Sequence, residues 1–95
     1  MARRSKPLHP KERPDMTDKI ETLTAAAEHR QREVEQHQIN IDNYRLAIAE
    51  IEQNHAGKPH MELFADRMRE LLKSSMEEQE KEAVLLKVIR LQLEG

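Results

Sequence analysis

Glu52 and His55 stand three residues apart in Glu52-Gln53-Asn54-His55, and His60, Glu62 and Asp66 follow shortly after. Carboxylate and imidazole at that spacing share one face of a helix, and paired helices of this kind hold two iron or manganese ions in some bundles. This chain has a single Glu-x-x-His, and its His55 falls just before Gly57 and Pro59, where a helix frays. The expected reading is therefore solvated charge at a helix end. HExxH, a glycine-rich phosphate loop and a nucleophile elbow are all absent. No catalytic set, cofactor or metal site is expected, and the chain reads as non-enzymatic.

The other candidates for chemistry are Arg30 and His37, and their meaning depends on the element that carries them. Stepping from Met16 by alternating four and three residues reaches Ile20, Leu23, Ala27, Arg30, Val34, His37, Ile41, Tyr44, Ile48, Ile51 and His55. Apart from Arg30, each is apolar or carries a ring. A seven-residue repeat kept over this length marks a seam facing another helix. Polar residues in such a seam fix register and partner number at some cost in stability, and Arg30 and His37 are expected to do this; a pH-sensitive switch is the alternative.

The sequence around the seam supports a helix over residues 15–55. Asp15 after Pro14 can cap its start, and Asp18 favours the first turn. Ala25, Ala26 and Ala27 are strong helix formers, and Glu28 with Arg32 has the supportive i,i+4 spacing. Gly57 and Pro59 stop the helix, so a turn over 56–59 and a second helix over 60–94 are expected. The apolar stripe of that second helix reads Met61, Ala65, Met68, Leu72, Met76, Gln79, Ala83, Leu86 and Leu93, widened by Phe64 and Leu71. Its four-four step over Met68, Leu72 and Met76 is a local stutter. Through residues 74–82 the helix is almost wholly polar, with Glu77 and Lys81 spaced to pair. Counting from the turn, Phe64 is expected to meet Ile51, Met68 to meet Ile48, and Leu71 to meet Tyr44.

The expected fold is all-α: an antiparallel hairpin of two long helices that dimerises into a four-helix bundle or coiled coil. Composition agrees. Of 95 residues, 37 % are hydrophobic and 36 % charged, Tyr44 and Phe64 are the two aromatics, and glycine occurs twice. That is too charged and too poor in turn residues for a compact mixed fold. Cysteine is absent, which removes disulfides and thiolate zinc sites and fits a cytoplasmic chain. Pro7, His9 and Pro10 interrupt any signal-peptide core after the basic start, and no apolar run is long enough for a bilayer span.

Two helices leave apolar surface over. Val84, Leu85, Leu86, Val88, Ile89, Leu91 and Leu93 crowd the end of the second helix, opposite a stretch of the first that offers Leu23, three alanines, Arg30 and Val34. Ile39 and Leu46 lie on the first helix away from its seam. A second copy is the expected cover. The expected oligomer interface draws on Ile20, Leu23, Val34, Ile41, Tyr44, Ile48, Leu86, Ile89 and Leu93. Met61, Met68 and Met76 read as core, with an adaptable binding face as the alternative.

Residues 1–14 differ in kind. Arg3, Arg4, Lys6, Lys11 and Arg13 against Glu12 give a charge of +4, while the rest of the chain carries −6. Three prolines exclude a helix there, so a disordered arm is expected. Those five cations can lie along nucleic-acid phosphate, without aromatics to stack on bases. Small size, long helices and a basic arm also resemble, in composition alone, accessory proteins of phages and other mobile elements. The expected function is a protein–protein interaction module acting as a homo-oligomer: an adaptor, regulator or inhibitor that engages a larger protein. The alternative is a nucleic-acid-binding accessory protein.

Overall fold

A computed structural model describes residues 16–95, so the basic residues 1–14 and the Asp15 cap lie outside the described part of the chain. Two helices make up the described residues: α1, Met16–Asn54, and α2, Pro59–Glu94. They pack against each other as an antiparallel hairpin.

The reversal between them takes four residues. The His55 amide still bonds the Ile51 carbonyl at 2.8 Å, and then the backbone leaves the helix at Gly57, whose φ of 86° lies in the left-handed region. A residue with a Cβ is strained there even though open space surrounds it. The Gly57 amide is not lost, since it donates to Glu62 Oε2 at 2.9 Å. Lys58 is extended, as the residue before a proline prefers, and Pro59 begins α2 where no amide proton is needed.

Burial follows the seam of α1. From Leu23 to His55 every seam residue is buried or half-buried, whereas Ile20 is 47 % exposed. Ile41 and Ile51 are the most enclosed, at 2 % and 4 %. On α2 the inward residues are Met61, Ala65, Met68, Leu72, Ser75, Gln79, Glu82, Leu86, Ile89 and Leu93. This is an unbroken four-three repeat, so the expected stutter does not occur. Ser75 and Glu82 take the places that Met76 and Ala83 were expected to fill, and Met76 is left 45 % exposed. The physical reason lies across the seam, where Arg30 takes Glu82 as its partner and so sets the phase of the α2 repeat.

Two contacts fix the register. Arg30 Nη1 bonds both Glu82 carboxylate oxygens, at 3.0 and 3.2 Å, and Gln79 Nε2 donates to the Val34 carbonyl at 3.2 Å. Stepping along both repeats from these contacts sets Leu23 opposite Ile89, Ala27 opposite Leu86, His37 opposite Ser75, Ile41 opposite Leu72, Tyr44 opposite Met68, Ile48 opposite Ala65 and Ile51 opposite Met61. The expected pairs were three residues out, because α2 starts at once after a tight turn and presents Met61 and Ala65, not Phe64, to the last turns of α1. The seam thus has apolar layers at each end and three polar layers in the middle: Arg30–Glu82, Val34–Gln79 and His37–Ser75.

Candidate interaction surface

The residues with chemical potential do not converge. Arg69 draws Glu52 to 2.9 Å and Asp66 to 2.9 Å. These contacts raise the pKa of Arg69 above its ordinary value, with the Glu52 hydrogen bond as the largest cause. His55 turns instead toward Lys58, 3.2 Å from its Nδ1, and Glu50, 3.8 Å from its Nε2. Among the described residues no group of three or more His, Cys, Asp or Glu side chains is placed to hold a metal ion. Lys81 reaches Glu78 at 3.2 Å rather than the expected Glu77.

Arg30 and His37 both lie in the middle of the seam, where the hairpin is polar. The Arg30–Glu82 pair is partly enclosed, with side chains 35 % and 16 % exposed, so it is less screened than a surface pair. His37 Nδ1 is buried without a hydrogen-bond partner. Such a group costs about 1–3 kcal/mol in desolvation while it stays unpaired.

What remains is surface, and its two flanks differ. One position out from the seam, the first flank carries Gln31, Gln38 and Glu52 on α1 with Arg69, Met76 and Arg90 on α2. Polar side chains bridge it: Arg69 to Glu52, Gln79 to Gln38 at 2.9 Å, and Arg90 to Gln31 at 3.1 Å. An open groove of about 620 Å³ runs along this flank over Ile41, Leu72 and Met76, with Arg45, Lys73, Glu77 and Glu80 among the residues lining it. The second flank carries Ala26, Glu33, Asn40 and Ala47 on α1, all half-buried, with Phe64, Leu71, Glu78 and Leu85 on α2. Outside the seam itself, none of the hydrogen bonds or ion pairs among the described residues crosses this flank. Phe64 is 47 % exposed and Leu85 43 %.

The largest apolar excess sits at the end of α2. Leu86 is buried at 5 %, and Ile89 and Leu93 are half-buried against α1. Val84, Val88 and Leu91 point outward, 57 %, 44 % and 56 % exposed, and Leu85 joins them to the second flank. On α1, Ile39 and Leu46 also face outward at 53 % and 69 %. Of the residues expected at the oligomer interface, Leu23, Val34, Ile41, Tyr44, Ile48, Leu86, Ile89 and Leu93 lie in the seam between the two helices of one chain, whereas Ile20 is 47 % exposed. The spacing on α1 identified the seam but not these flanks, which become visible only once the register of the two helices is known.

Among the described residues no helix is long and apolar enough to cross a membrane. Compared with known proteins, the chain matches no family model, no curated protein and no solved structure.

Proposed function

We propose that this chain is a small, non-enzymatic protein–protein interaction module: a helical hairpin that pairs with a second copy as a four-helix bundle and acts as an adaptor, regulator or inhibitor of a larger protein. One observation carries the reading. Four hydrophobic residues, Ile41, Ile51, Ala65 and Leu86, are buried in the hairpin, while Val84, Leu85, Val88 and Leu91 cluster uncovered at one end. Exposed apolar residues gathered in a patch mark an interaction site, whereas the same residues scattered singly do not. Size-exclusion chromatography with light scattering is expected to give twice the 11.2 kDa chain mass. A single-chain mass across the micromolar range contradicts the pairing.

A second reading rests on the +4 charge of residues 1–14, set against an acidic remainder. In this reading the arm holds nucleic acid through its phosphates. Deleting residues 2–13 should abolish retention of DNA or RNA while leaving helicity intact. With ~4–5 phosphate contacts, log affinity should fall with log salt at a slope of about −4. Binding that survives the deletion refutes it.

A further inference from the structure

We infer that the second flank, rather than the grooved first flank, is where a second copy docks, and that the two hairpins lie antiparallel with their turns at opposite ends. The inference rests on the self-association proposed above and adds its geometry: of the apolar patch at the end of α2 it covers Leu85 and leaves Val84, Val88 and Leu91 outward for the larger partner. A two-fold contact must be self-complementary: whatever one copy presents on one side of the axis, it must meet on the other. The second flank meets this condition about the His37–Ser75 layer. Stepping outward from the register, Ala47 stands beside Phe64 toward the turn, and Ala26 stands beside Leu85 toward the open end. Each of these four residues lies ten or eleven positions from His37 or Ser75 on its own helix, roughly 16 Å along the axis. A half-turn about that layer therefore lays Phe64 on the partner's Leu85 and Ala26 on the partner's Ala47. Large meets large on α2 and small meets small on α1, twice over, so the two α1 helices approach more closely than the two α2 helices.

The polar centre fits the same axis. Glu33 falls against the partner's Asn40, whose Oδ1 already accepts from Gln36 at 3.2 Å and whose amide protons remain to donate. Glu78 falls beside the partner's Leu71, with its carboxylate turned along its own helix toward Lys81 at 3.2 Å. The axis passes beside the His37–Ser75 layer, so both copies hold the polar centres of their seams at the same level. On the first flank, cross-helix bonds already occupy Glu52, Arg69, Gln31, Arg90 and Gln38.

The test uses the full chain. Leu85→Glu and Phe64→Glu place charge in the proposed contact, and Met76→Glu, at a comparably exposed site on the first flank, is the control. Each symmetric contact would bury two unpaired charges, so dimer affinity should fall at least ~100-fold for the first two and stay within a few-fold for the control. Circular dichroism checks that all three remain helical. Direction is read separately: the chain lacks cysteine, so Lys58→Cys carries a single spin label in the exposed turn. Antiparallel hairpins place the two labels about 50 Å apart, whereas turns at one end bring them within about 20 Å. A short distance, a dimer broken by Met76→Glu but not by Leu85→Glu, or a dimer indifferent to all three overturns this arrangement and leaves self-association standing. A wild-type chain of single mass removes self-association itself.

Discussion

Under the proposed pairing, a chain cut after Glu82 should lose the doubled mass and more helix than the thirteen residues removed. The cut takes away Leu86, buried to 5 %, and the half-buried Ile89 and Leu93. In register these residues face Ala27, Leu23 and Ile20, so the first turns of α1 are left with nothing to pack on. Removing one buried leucine side chain costs about 2–5 kcal/mol, against a total of about 5–15 kcal/mol for an ordinary domain. Freed from tertiary contact, α1 before Arg30 should fray, because packing of the apolar face supplies most of a helix's stability in a protein. Circular dichroism should therefore fall by clearly more than the deleted share, and light scattering should report a monomer or an unfolded chain. A stable truncated chain that is fully helical would show that residues 83–95 neither complete the hairpin nor carry its contact.

Glu82→Ala should destabilise the hairpin by roughly 1–2 kcal/mol, read from urea denaturation, because it strands a partly enclosed guanidinium. The figure sits below that for a fully buried pair because Arg30 keeps a third of its side chain in water. Replacing both partners, Arg30→Leu with Glu82→Leu, should recover that loss and exceed the wild-type stability, since two leucines in facing seam positions bury without desolvating charge. A double-mutant cycle on Arg30→Ala and Glu82→Ala should return a coupling of about 1–2 kcal/mol. A coupling near zero would class the pair with ordinary surface bridges and remove its role in setting register. The leucine pair should also loosen register, because a seam with fewer polar layers tolerates sliding.

The α1 seam was legible in the sequence because its repeat never slips and all but one of its side chains can bury apolar surface or a ring. The surplus at the end of α2 was legible for the same reason: Val84, Val88 and Leu91 are apolar on a face that the seam cannot use. The centre of α2 was not. Read alone, Met76 and Ala83 are better core residues than Ser75 and Glu82, and the stripe reads as a stutter toward them. Arg30 decides otherwise, and its influence crosses the hairpin from fifty-two positions away. A one-dimensional pattern shows which positions are apolar but not which polar residue has a partner waiting. The flanks were hidden by the same gap, since Ala47 and Phe64 become neighbours only when the register is set.

The reversal at Gly57 also guards against a different outcome. Carried straight through the bend, the repeat of α1 would continue from His55 to Lys58, Glu62, Ala65 and Arg69, whereas α2 buries Met61, Ala65 and Met68. The two halves are out of phase by three residues, so an uninterrupted rod would twist its greasy stripe off line and set charges into it. Strand exchange between copies through an opened hinge is a common hazard for short connections. Here it would sacrifice the match of one half or the other, which ties the compact form to the phase of its two repeats as well as to the flexibility of one glycine.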